Sequence, residues 1–294
     1  MAAEREELRF PSAGDRCAAW MYRPRAAAPW PCVVMAHGFS LTRHDGLAAY
    51  AQRLAEAGTA VLAFDHRYLG DSGGTPRQRF RISAQMQDWR AAVAYARRLD
   101  GVDAERILLW GYSFSGGHAV ETAASDPRVA AVLALCPMLD GRARVLATPA
   151  RLRLWLAPRA LADELGHHNL VPVTAPPGGH AAMTLPGEAD GFAAAVPEGS
   201  PWRNEISPGV FLTVAFHRPV RRARAVRVPV WLGLGERDVT VSRRAIERFA
   251  ARAAGAELHV YPYDHFEPLV GGAPARLAGE QIDFLRRNGL LAAA

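Results

Sequence analysis

Serine, histidine and aspartate stand at the ends of apolar runs in this chain, where acyl chemistry can use them. Ile107-Leu108-Leu109-Trp110 leads directly into Gly111-Tyr112-Ser113-Phe114-Ser115-Gly116-Gly117-His118. The apolar run suits a strand buried on both faces, and the residues from Ala119 to Ala124 suit a helix. A strand that turns sharply into a helix around Gly-x-Ser-x lifts a serine hydroxyl to the carboxyl end of a sheet. Such a turn needs small neighbours, and Gly111, Ser115 and Gly116 supply them. A serine hydroxyl is protonated near neutral pH. It becomes a nucleophile only with a base in hydrogen-bond reach, and the base needs an acid to orient it.

Two serines compete for the apex. Ser113 stands two residues after Gly111 and belongs there. Ser115 takes the place where the pattern usually has glycine, in the first helical turn, where a serine caps or packs. The amide that follows the apex, Phe114, opens the helix, and N–H groups at a helix start stabilise developing negative charge. The bland alternative is a dinucleotide-binding turn, but its Gly-x-Gly-x-x-Gly spacing is missing.

Ten histidines compete for the base. His265 lies in a loop after the last strand, within Tyr263-Asp264-His265-Phe266-Glu267-Pro268. His259 alternates within a strand, His118 belongs to the helix after Ser113, and His167, His168, His180 and His217 fall in an irregular stretch. For the acid, Asp238 ends the penultimate strand. Asp140, after the strand that follows Ser113, is the alternative, and Asp264 is badly placed to reach the far nitrogen of its neighbour His265. The expected triad is Ser113, His265 and Asp238. His37-Gly38-Phe39 follows the first buried strand, so the Phe39 amide is the expected partner of Phe114 in an oxyanion hole, with His37 bracing the loop.

Elements must hold these residues at one edge. Leu8 to Phe10 and Ala18 to Tyr22 flank a turn-rich Pro11 to Asp15 and predict a hairpin. Buried strands are expected at Cys32–Ala36, Ala60–Phe64, Ile107–Trp110, Val129–Leu135, Val228–Gly235 and Glu257–Tyr261. Helices are expected over 47–57, 82–99, 242–253 and 274–287, the second with Met86, Trp89, Val93 and Tyr95-Ala96 on one side. Alternation of this kind predicts an α/β fold: a mostly parallel sheet with helices on both faces, and ligands at the carboxyl ends of its strands. The alternation stops over 141–225, which is rich in Pro, Gly and Arg, with helical pieces around 150–165 and 211–217. A break of this kind predicts an inserted cap over the serine. Met183, Phe192 and Trp202 are its expected substrate-binding residues, lining an apolar pocket.

Taken together, His37-Gly38-Phe39, Asp65-x-Arg67-x-x-Gly70-Asp71-Ser72-Gly73, Gly111-x-Ser113, Gly235-x-x-Asp238 and Asp264-His265-Phe266 resemble the α/β-hydrolase superfamily. The resemblance covers 1–140 and 226–294, the expected core, and leaves 141–225 as the cap. Ala175-Pro176-Pro177-Gly178 and Pro201-Trp202-Arg203-Asn204-Glu205 look like the cap of esterase-like bacterial members. The resemblance implies ester, thioester or lactone cleavage without a cofactor or metal, or acyl transfer to a nucleophile other than water. It places the acid at Asp238 or, as an alternative, at Asp140. A serine at the apex argues against dehalogenase and epoxide-hydrolase chemistry, which use aspartate there.

Composition narrows the class. The 294 residues carry a net charge of +6 and contain no lysine, so the 35 basic residues are all arginine. Schiff-base and general-base lysine mechanisms are thereby excluded. The arginines are spread along the chain without aromatic interleaving, so no nucleic-acid partner is expected. The densest run, Arg218, Arg221, Arg222, Arg224 and Arg227, reads as a solvated hinge. Cys17, Cys32 and Cys136 lack metal-ligand spacing, and the last two sit in apolar runs as buried thiols. No apolar run approaches the ~20 residues of a membrane span, and the charged N-terminus has no secretory pattern. A cytoplasmic protein acting on a small acyl ester or thioester is expected. A homodimer stays open.

Overall fold

The structure, a computed structural model, describes residues 4–292. Glu4–Ser12 (β1) and Asp15–Arg23 (β2) pair antiparallel across a two-residue turn. Both turn residues, Ala13 (φ 43°) and Gly14 (φ 93°), are left-handed, which matches the twist of a tight hairpin. The strands therefore run further into the turn-rich stretch than its composition predicts. Pro11 is accommodated because β1 is an edge strand, where a missing N–H costs no ladder bond.

Strands and helices then alternate: Trp30–Ala36 (β3), Leu47–Glu56 (α1), Ala60–Phe64 (β4), Ile82–Ala96 (α2), Val102–Tyr112 (β5), Phe114–Ala123 (α3) and Val129–Leu135 (β6). Residues 141–225 follow, with Gly141–Ala147 (α4), Ala150–Glu164 (α5), Glu188–Ala195 (α6) and Val210–Thr213 (α7). Val230–Gly235 (β7), Arg243–Ala250 (α8), Ala256–Tyr261 (β8) and Ala273–Arg287 (α9) complete the chain. The eight strands form one sheet in the order β1-β2-β4-β3-β5-β6-β7-β8, parallel from β4 onward.

The inner parallel strands are apolar because helices cover both their faces. Every residue of β4 is buried, and Trp89, Trp110 and Trp231 are among the largest fully buried side chains. Helix α2 departs from its apolar pattern. It buries Gln85 and Asp88 together with Trp89, Ala92 and Val93, and leaves Met86 half-exposed.

Register decides what meets at the edge. Ala36 lies opposite Gly111, so the loop after β3 leaves beside the serine after β5. Gly235 lies opposite Tyr261, so the loops carrying Asp238 and His265 leave from neighbouring strands.

Candidate active site

Ser113 joins β5 to α3 with φ 53° and ψ −114°, a conformation strained for any residue with a side chain. The glycines around it are small for identifiable reasons. A Cβ on Gly111 would lie 2.2 Å from the Ser115 carbonyl oxygen, and one on Gly116 would lie 2.8 Å from Pro137 Cβ. Ser115 is fully buried, and its Oγ sits 3.3 Å from His66 Nε2, away from His265. Of the two serines, Ser113 is the one whose hydroxyl reaches His265.

Ser113 Oγ lies 3.0 Å from His265 Nε2, and His265 Nδ1 lies 2.7 Å from Asp238 Oδ2. With Nδ1–H donated to the carboxylate, Nε2 is free to accept the serine proton. Asp238 also accepts the amides of Thr240 (2.8 Å) and Val241 (3.1 Å). Burial alone would raise its carboxyl. The imidazole and the two amides outweigh burial and hold it below the usual carboxylate range. The competing carboxylates are committed elsewhere. Asp140 caps α4 and takes a two-bond contact from Arg218 (3.0 and 2.8 Å), while Asp264 caps its own loop at Phe266 and Glu267. Arg218 is thus paired, not the solvated hinge residue that the basic run predicts.

The loop after β3 approaches the serine closely. A Cβ on Gly38 would lie 2.8 Å from Ser113 Cβ, so the loop passes this close to Ser113 only with glycine at 38. His37 fixes this loop. Its Nε2–H donates to the Asp45 carbonyl (2.6 Å) and its Nδ1 accepts the Gly38 N–H (2.8 Å). Burial pushes the His37 imidazole down to about 3, so it stays neutral. The Asp45 carboxylate accepts from Thr42 N (2.6 Å) and from Ser200 Oγ (2.6 Å), and Trp202 Nε1 donates to Ser40 Oγ (3.1 Å). Residues from 141–225 therefore brace the loop that carries Phe39.

Against Ser113 opens a pocket with mostly apolar walls. Phe39, Phe114, Met138, Met183, Phe211 and Val214 are among its walls, with Arg144, Thr148 and Thr240 as polar members. Of the three expected substrate-binding residues, Met183 lines the cavity. Phe192 and Trp202 do not. They stack on each other (5.6 Å), and Phe192 packs on Phe266 beside His265 (5.0 Å). The physical reason is that Trp202 carries a donor that must be satisfied when buried, and its partner Ser40 lies at the loop rather than in the pocket.

Sequence reasoning missed several contributors. Arg67 Nε and His66 Nδ1 both reach the Asp88 carboxylate behind the serine turn. Asp65 holds the Arg43 amide and side chain, and the Gly70 backbone packs against its carboxylate. The Asp65 to Gly73 motif was the available signal for both. Glu188, Arg144 and Thr240 form a further cluster with no local sequence signal.

Residues 27–267 match the family model described as serine aminopeptidase, S33. The chain belongs to this family. The S33 chain is an α/β-hydrolase, as its sheet and its structural neighbours agree. The quorum-quenching protein AidA of Acinetobacter baumannii is 38% identical over 286 residues, covering 96% of this chain and 94% of its own. The thiohydrolase aneE of Aspergillus aculeatus is 26% identical over 270 residues, 87% of this chain and 85% of its own. The α/β-hydrolase GrgF from Penicillium sp. sh18 shares the fold, with a TM-score of 0.82 at 24% identity over 97% of this chain and 99% of that one.

Proposed function

We propose that this S33 hydrolase cleaves a carboxylic ester, thioester or lactone through an acyl-enzyme on Ser113. The single observation that carries the reading is the hydrogen-bonded series from Ser113 through His265 to Asp238 at the mouth of an apolar cavity. His265 Nε2 takes the Oγ proton as Oγ attacks the acyl carbon. The Phe39 and Phe114 amides receive the negative oxygen that forms. The protonated imidazole, held by the Asp238 carboxylate, returns the proton to the leaving alkoxide or thiolate. Water then enters, gives a proton to His265 and attacks the acyl-enzyme; collapse releases the acid and restores Ser113. In a lactone the leaving oxygen stays tethered to the acyl chain.

The family model is described by a peptidase activity, and the cavity argues for esters instead. An aminopeptidase must neutralise a substrate ammonium. Among the described residues no carboxylate lines the pocket, and its one charged member is a cation, Arg144. Residues 141–225 act in this reading as the cap, with Met183 as a wall of the acyl pocket. The same apolar walls favour a second outcome, acyl transfer, because they disfavour water at the acyl-enzyme.

The test is turnover of a short p-nitrophenyl ester and of an aminoacyl p-nitroanilide by wild type and Ser113→Ala. Ester cleavage that falls by about 10⁶ in Ser113→Ala, with little anilide cleavage, is expected. A variant of near-native activity would remove Ser113 from the mechanism. Product analysis with an added alcohol or amine separates hydrolysis from transfer.

A further inference from the structure

We propose that the outer face of α4 and α5 docks on an anionic lipid surface. The inference goes beyond the acyl-enzyme reading and does not depend on it.

Helix α5 is apolar on two opposite sides. Leu152, Leu156 and Ala160 are buried against the rest of the molecule. Leu154, Leu161 and the C-cap Leu165 follow at spacings of seven and four, which places them together on the other side of the helix. They are 76%, 54% and 72% exposed. A surface helix ordinarily carries charged and polar residues on the side away from the core. This one carries leucine there. Leu146, near the end of α4, is a further leucine at 64% exposure, and Arg142 stands one turn before it.

Charge decides what covers this face. Residues 141–162 hold five arginines and no acid. Arg144 is paired with the buried Glu188 (3.0 Å). Arg142, Arg151 and Arg153 are exposed and pair with no carboxylate among the described residues. The next acids along the chain, Asp163 and Glu164, are both held by Arg81 (2.7 and 3.1 Å). A second copy docked about a two-fold axis would set this patch against itself, arginine toward arginine. An anionic lipid surface offers an apolar layer for the leucines and phosphates for the arginines at the same time. A groove reaches the same face. Arg153 and Ala157, which flank Leu154 on α5, line it together with Leu212, and it shares Val145, Thr148 and Phe211 with the pocket at Ser113.

The test is co-sedimentation of the full chain with vesicles of phosphatidylcholine alone and of phosphatidylcholine with roughly a third phosphatidylglycerol. Wild type and Ser113→Ala are expected to bind the anionic vesicles alike and the neutral ones far more weakly, with the difference shrinking at high salt. Leu154→Ser/Leu161→Ser is expected to lose about tenfold or more in affinity, because two apolar side chains no longer leave water. Arg142→Gln/Arg151→Gln is expected to lose roughly twentyfold on anionic vesicles, about fivefold for each arginine, and little on neutral ones. All four residues lie outside the linings of the pocket and the groove, so circular dichroism and turnover of a soluble ester should match wild type and show that each variant is folded. Wild type that ignores anionic vesicles, equal binding to both kinds of vesicle, or binding unchanged in either variant overturns the proposal. A dimer that Leu154→Ser/Leu161→Ser dissociates in sedimentation velocity, without vesicle binding, gives the face to a second copy and overturns it as well. Vesicle binding needs no turnover, so an enzyme that binds as expected but cleaves no ester removes the acyl-enzyme reading and leaves the docking face in place.

Discussion

Gly38 is where one atom decides whether the site can form. A methyl group there would lie 2.8 Å from Ser113 Cβ and 3.1 Å from the Tyr112 carbonyl, and neither is the flexible end of a side chain. Gly38→Ala must therefore push the loop outward and carry the Phe39 amide with it. Loss of one oxyanion donor costs ~10²–10³ in kcat, and a loss of that size is expected with the fold intact by circular dichroism. A Gly38→Ala enzyme of native kcat would mean that Phe39 is not a donor. That Ser113, His265 and Asp238 meet was legible in the sequence, because each follows an apolar strand and sits in a short motif of small or turn-forming residues. Asp88, Glu188 and Arg144 were not. Each is a single polar residue whose partner is far along the chain, and in a helix or loop it reads as part of a solvated face.

Among the elements, the inner parallel strands were the most legible, since burial on both faces leaves an unbroken apolar run. β4 occupies the predicted residues, 60–64. The helical pieces at 150–165 and 211–217 were legible by spacing, whereas α6, short and alanine-rich, was not. The aromatics of 141–225 show where type alone misleads, because an apolar ring can serve a pocket wall or a brace equally well. Trp202 and Ser200 brace, through Ser40 and Asp45, the loop that presents Phe39. Ser200→Ala and Trp202→Phe each remove one such bond and keep the packing. A bond of this kind contributes about 1 kcal/mol, so kcat is expected to fall roughly threefold to tenfold while KM and the ranking of ester chain lengths hold. A changed ranking at constant kcat would return these residues to the substrate pocket.

The molecule as a whole buries imidazoles in numbers that set its response to acid. His37, His118 and His217 are buried, and His118 and His217 pack together behind the serine turn with ring centroids 4.9 Å apart. Burial pushes His37 down to about 3 and His217 to about 4, and it holds His118 well below the usual range, with His217 and His66 adding to the effect. Unfolding returns each to ~6.5. Between the folded and unfolded values the unfolded chain binds more protons, so stability rises with pH there and is lost on acidification. The contribution is complete above about pH 7. It falls by ~1.4 kcal/mol per pH unit for each histidine once the pH drops below ~6.5. Asp88 and Asp238, held below the usual carboxylate range, keep their contribution until the pH falls past ~3.9, so they play no part in this window. Asp45 and Asp65, raised by burial, oppose the histidines in part. Three histidines over one pH unit amount to about 4 kcal/mol before that offset, and 1 kcal/mol moves Tm by ~2–4 °C in a domain near this size. Tm should therefore fall by roughly 10 °C between pH 7.5 and 5.5. His217→Phe keeps the ring stacked on Phe114 and removes one titrating group, so its Tm should fall by about a third less over the same interval. Thermal scans across this range decide the matter. A Tm that is flat or rises on acidification, or a slope unchanged in His217→Phe, would place the source of acid sensitivity outside these histidines.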